Sequence, residues 1–317
     1  MAVRPSPRGL IVDLITPLKK SGDIDGRGLG RHLDGVLPYA QALLLASPHI
    51  GEGEGLDAGL REELLDKSLG LVQGRIPLLI WITQDTEEKT KETHLLLKKM
   101  LTRRKYTGRI YWVDTPLYYH SNRGLPLYYQ QMPTTDKDSF LLYNDPELIK
   151  LITRPLKRLN IRTGILKELS GNQSIQGLIF LGSLDRTRNY QKAVRVRGDF
   201  RIYDGDETHF LTYPSLSGVV SMGANLAPMA WQKATSASLN LDGLQQSYPD
   251  YLQQIWELGC YLQDLREIYR ESPVPLMKQV LSDRGVIEEP AGLVEGKKKG
   301  EEVNRLKELM TQHGDYP

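Results

Sequence analysis

The chain is poor in cysteine: Cys260 is the only one among 317 residues. An internal disulfide is therefore excluded, and the composition fits a reducing compartment. Cys260 lies in the apolar helical pattern "WELGCYLQDL", where a packed thiol is the expected reading rather than a nucleophile. Long hydrophobic runs are missing as well. Nothing approaches the ~18 apolar residues of a membrane span, and "MAVRPSPRGL" at the N-terminus has no apolar signal core. A soluble, cytoplasmic chain with no membrane partner is expected. Charge of one sign is not in excess: 41 Lys and Arg face 39 Asp and Glu, a net charge of +2. That gives no global attraction to nucleic acid, and the basic runs at 98–105 and 297–299 read as solvated helix faces. No G-x-G-x-x-G follows the first apolar run, which removes the usual ground for a dinucleotide-binding open sheet.

What is present is a recurring pair of patterns. Eight short apolar runs read as strands: 9–18, 42–48, 76–83, 108–117, 139–146, 163–170, 199–206 and 218–225. Most are continuous rather than alternating, as in parallel strands covered on both faces. Between them lie helical patterns, such as 59–72, 87–101 and 146–159, the last divided by Pro155. Eight such units predict an α/β protein, a (β/α)8 TIM barrel over 1–228. A doubly wound sheet is the competing architecture. Residues 229–317 read as a helical region packed on the barrel, with helices over 250–272, 276–285 and 300–314. The segment 287–300 reads as a loop.

In such a barrel, chemistry sits where the strands end. Those ends carry Thr16, the Ser47–Glu52 loop, Thr115, Tyr143, Lys167, Asp204–Asp206 and Gly223–Asn225. Lys167 stands out in "TGILKELSGN", because a lysine inside an apolar strand is either paired or used. Glu168 is the adjacent candidate partner, but neighbouring strand residues point to opposite faces. The acidic "DGDE" at 204–207 is a single acidic loop and gives only weak support for a metal; none is expected.

The motifs, in order, are "LITPL", "GEGEGL", "TPLYY", "LYNDP", "GILKELSGN", "YDGDE", "GVVSMGAN" and "PVPLMKQVL". Together they resemble the pyruvate-dependent, Schiff-base class I aldolases, the group that includes dihydrodipicolinate synthase and N-acetylneuraminate lyase. The resemblance spans about nine-tenths of the chain. It implies that Lys167 forms an imine with pyruvate or another 2-keto acid, that Tyr143 shuttles protons, and that Tyr118 (alternatively Tyr119) reaches across a dimer interface. It further implies an aldehyde partner, a homodimer or homotetramer, and no cofactor. Gly205 and Val220 would line the substrate. The departures matter too. Pro48, His49 and Ile50 stand where the family has a Gly-Thr-Thr carboxylate loop, with Ser47 one step earlier. His49 then becomes the candidate relay, against an ordinary loop histidine. Asp13 replaces a small residue and faces either the site or a helix. Leu148 stands where the synthase has a carboxylate-gripping arginine, which argues against that particular synthase. A sugar-acid dehydratase or a non-catalytic 2-keto-acid-binding barrel remain the alternatives.

Overall fold

The structure is a computed structural model, described here for residues 6–132, 138–151, 158–214, 217–240, 248–293 and 300–315. Eight strands close into a parallel barrel in chain order. They are β1 (Gly9–Asp13), β2 (Ala42–Leu45), β3 (Leu78–Trp81), β4 (Ile110–Asp114), β5 (Phe140–Asn144), β6 (Ile175–Phe180), β7 (Arg201–Asp204) and β8 (Gly218–Ser221). Around them run α1 (Gly26–Val36), α2 (Ala58–Val72), α3 (Glu87–Arg103), α4 (Leu125–Gln131), α5 (Pro146–Leu151) and α6 (Thr163–Leu169). The ring continues through α7 (Leu184–Val194), α8 (Glu207–Thr212) and α9 (Pro228–Leu239). Then come α10 (Tyr248–Tyr269), α11 (Pro273–Asp283) and α12 (Gly300–Gln312).

The expected (β/α)8 barrel is present, but its sixth strand is not the one anticipated. Residues Thr163–Leu169 form α6, and β6 is the next apolar run, "IQGLIF". The local physics explains the difference. Ile165, Leu166 and Leu169 fall on one helical face and pack against the core, while Lys167 and Glu168 face water. Leucine, lysine and glutamate are also good helix formers. "IQGLIF" is a continuous buried run entered through the Asn172–Ser174 turn, in which Asn172 Oδ1 accepts from the Ser174 N–H at 2.9 Å. Gly177 is required within it, because a Cβ there would lie 2.4 Å from the Arg201 carbonyl oxygen on β7.

The core divides into two layers, as strand alternation demands. Leu10, Val12, Leu43, Leu45, Leu78 and Ile80 face outward to the helices. Ile11, Leu44, Leu79, Val113, Leu141, Ile179 and Val220 fill the barrel interior together with Trp81, Tyr143 and Tyr203. Helix α9 lies against β1 and β8, and α10 against α9 and α12. The helical run is interrupted as its prolines demand: α10 ends at Tyr269, and Pro273 and Pro275 open α11, where a missing N–H costs nothing. The anticipated break at Pro155 lies outside the described residues, as does 294–299 of the anticipated loop.

Candidate functional site

Asp13 is the last residue of β1 and shares its parity with Ile11, so its carboxyl points into the barrel rather than to a helix. It is buried, and its Oδ1 has no partner among the described residues. Burial pushes its pKa up to about 7, against the pull of the Ser47 hydroxyl and the nearby His49, with Glu207 adding to the rise. The main chain of β1 is anchored at the same point: Asn225 Nδ2 donates to the Asp13 carbonyl at 2.7 Å, and Asn225 Oδ1 accepts from the Ile15 N–H at 3.0 Å.

His49 lies in the loop after β2 and meets Asp145, which follows β5; Nε2 and Oδ2 are 2.5 Å apart. Asp145 is fixed through its other oxygen, which accepts the Glu147 N–H at 2.9 Å and the Leu148 N–H at 3.3 Å. Burial works to lower the imidazole pKa, but the hydrogen bond and charge of Asp145, with Asp13 and Glu54 behind, hold it above its ordinary value. The ring is still 36 % exposed, so solvent tempers these charges. Tyr143, pointing inward from β5, is buried; desolvation and the charges of Asp145 and Asp13 raise its pKa well above the ordinary value. Asp13, His49, Asp145 and Tyr143 thus form one electrostatically connected set at the end of the barrel.

The loop that carries His49 is tightly coiled. Ala46 and Glu52 adopt positive φ values of 52° and 54°. A Cβ on Gly53 would sit 1.9 Å from the Ala46 carbonyl oxygen, so glycine is obligatory there. Ser47 Oγ accepts the Gly51 N–H at 2.9 Å. The Gly51 N–H is therefore already taken, while the Ser47 hydroxyl keeps its own proton to donate. The Ile50 side chain is fully buried in the outer core and does not reach the site. Beneath the loop, the buried Lys278 pairs with Glu52 and donates to the Ala291 carbonyl at 2.6 Å. Arg61 holds the Trp81 and Gly53 carbonyls.

The remaining anticipated residues divide. Val220 lines the barrel from β8. Gly205 follows β7, where a Cβ would press on Leu181. Tyr118 sits at the rim, donating to Glu54 Oε1 of its own chain at 2.9 Å and packing edge-on against Trp81. Tyr119, the alternative, is buried outside the barrel and donates to Asp114 at 2.7 Å. Lys167 is the correction. It is exposed in the last turn of α6, far from the strand-end position it was assigned. When the family motif G-I-K-E is placed on the actual sixth strand, Gly177-Leu178-Ile179-Phe180, Ile179 takes the lysine position. It pairs in register with Tyr143 and points inward. Among the described residues no lysine side chain enters the barrel; the one fully buried lysine is Lys278. Sequence reading also missed Asp145 and Trp81. Asp145, an acid directly after a strand and beside a candidate tyrosine, was the more legible of the two. Among the described residues no cluster of His, Cys, Asp and Glu is arranged to hold a metal, and no helix is long and apolar enough to cross a membrane.

Comparison with known proteins agrees with the fold. A sequence model described as the Dihydrodipicolinate synthetase family matches residues 6–299. A 4-hydroxy-tetrahydrodipicolinate synthase of Thermotoga neapolitana is 27 % identical over 224 residues, 70 % of this chain and 72 % of the relative. That of Psychromonas ingrahamii is 26 % identical over 239 residues, covering 73 % and 75 %. Among solved structures, dihydrodipicolinate synthase of Acinetobacter baumannii in complex with pyruvate superposes with a TM-score of 0.78 at 19 % identity, covering 98 % of this chain and 99 % of that one. The Thermotoga maritima enzyme gives 0.77 at 21 %, with 97 % and 99 % covered.

Proposed function

Because the chain belongs to the dihydrodipicolinate synthetase family, we propose that it is a lyase or aldolase for a small 2-keto acid or sugar acid that uses acid–base groups at the barrel mouth in place of a lysine imine. The observation that carries this reading is Asp13: an inward carboxyl with one oxygen unpartnered among the described residues and a pKa pushed up to about 7. Such a group can both take and return a proton at neutral pH. In its ionised form it would remove a proton from the carbon beside the substrate carbonyl, and the electron pair would pass to the carbonyl oxygen. The protonated His49, held by Asp145, and the Tyr143 hydroxyl, kept protonated by its raised pKa, would donate hydrogen bonds to the resulting oxyanion. The enolate is shared by aldol condensation, by dehydration and by aldol cleavage, in which the base takes the hydroxyl proton and the breaking C–C bond supplies the electron pair, so the reading keeps all three. Leu148 in place of a carboxylate-gripping arginine argues against the synthase reaction named for the relatives.

Ile179 favours a second reading, a keto-acid-binding barrel without turnover. One experiment separates these. Pyruvate in D2O is followed by NMR with the parent, Asp13→Asn and Lys167→Ala, alongside borohydride trapping. Methyl-proton exchange that falls about 10²-fold or more in Asp13→Asn, is unchanged in Lys167→Ala and leaves no reduced adduct supports the acid–base reading. Saturable binding without exchange supports the second. A reduced adduct on Lys167 overturns both.

A further inference from the structure

On the barrel rim a cavity of about 580 Å³ opens between the β4–α4 and α5–α6 connections, its walls including Ser121, Asn122, Arg123, Arg158, Arg162 and Glu168. None of these belongs to the Asp13–His49–Asp145–Tyr143 set. Three guanidinium groups face a single carboxylate here. None of the three arginine side chains has an ion-pair or hydrogen-bond partner among the described residues. Some arginines elsewhere on the surface close on acids, such as Arg103 on Glu62 at 2.7 Å and Arg197 on Asp199 at 3.1 Å.

The backbone beneath these arginines is held rigidly. Asn122 Oδ1 accepts the Arg162 N–H at 2.7 Å, and its Nδ2 donates to the Asn160 carbonyl at 3.0 Å. Asn144 Oδ1 accepts the Ile161 N–H at 2.8 Å, and its Nδ2 donates to the Leu159 carbonyl at 3.1 Å. Tyr190 donates to the Ile161 carbonyl at 2.5 Å. All three side chains are buried. Residues 159–162, fixed in this way, spare a ligand much of the cost of ordering them. Guanidinium forks pair bidentately with phosphate and carboxylate oxygens. We propose that this cavity binds a small oxyanion with two or more negative charges, of the phosphate-ester or polycarboxylate class. Among the described residues, three cations against one anion leave an excess of two positive charges, which a monocarboxylate does not match.

The test is isothermal titration of the full-length protein at low ionic strength with pyrophosphate, citrate and acetate. Saturable one-to-one binding of pyrophosphate or citrate is expected, with acetate silent; the tighter of the two polyanions identifies the class. Arg158→Gln/Arg162→Gln should weaken that binding about tenfold or more. The control Arg188→Gln/Arg195→Gln, at exposed positions on and just after α7, should leave it unchanged. If the first pair fails to fold, Arg123→Gln from the opposite wall carries the same expectation. Absence of binding by both polyanions, binding that survives the arginine substitutions, or equal weakening in the control overturns the proposal.

Discussion

Asp13 illustrates how one buried carboxyl shapes both chemistry and stability. Its folded pKa of about 7 exceeds the ordinary 3.8, so between those pH values the folded chain binds a proton that the unfolded chain has released. Stability from this group therefore falls as pH rises from about 4 through about 7. The gap corresponds to at most about 4 kcal/mol. Urea unfolding of the parent at pH 5 and pH 8 should show this loss, and Asp13→Asn should remove that part of the slope and be the more stable protein at pH 8. Equal pH slopes in the two would refute it. His49, whose folded pKa is raised, adds stability that is complete below the unfolded value and is lost as pH climbs through the folded one. Its substitution must therefore be measured separately.

Ile179 gives a second residue-scale prediction. An amine at that position, in register with Tyr143, should form an imine with pyruvate. Ile179→Lys, if folded, should yield a pyruvate adduct on residue 179 after borohydride, read by peptide mass spectrometry. A folded variant with no adduct would mean that Ile179 does not occupy the amine position.

At the scale of elements, the β2–α2 loop depends on α11. Lys278 is fully buried and pairs with Glu52, which also accepts the Leu293 N–H at 2.6 Å. Burial lowers the lysine pKa, with Glu52 opposing that shift. Lys278→Met leaves a buried carboxylate uncompensated and should cost about 3–5 kcal/mol. Adding Glu52→Gln should cost less than the sum of the two single changes, because the double variant strands no charge. Urea melts of the three variants decide this. Helix α6 and strand β6 are the elements least legible in advance. Both are short and apolar, and a run of that length fits either period; the lysine drew attention to the first, although it lies on the solvent face of a helix.

For the whole molecule, the family likeness leads us to expect at least a dimer. Sedimentation at micromolar concentration should give twice 35.9 kDa or more, and a monomer alone would contradict it. Much of the architecture was already written in the chain. Continuous apolar runs at regular spacing locate seven of the eight strands, and strand parity puts Asp13 and Tyr143 on one interior surface. Helical spacing of the apolar residues bounds α2, α3 and α11 within a few residues. These are local properties, set by side-chain period and backbone geometry. Barrel closure decided the rest: that Ile179 rather than Lys167 faces Tyr143, that His49 meets Asp145 across 96 positions, that Lys278 lies under Glu52, and that three arginines from two connections share one cavity. Each of these depends on which strand follows which around the barrel, and no local pattern encodes a distance between segments that meet only when the sheet closes.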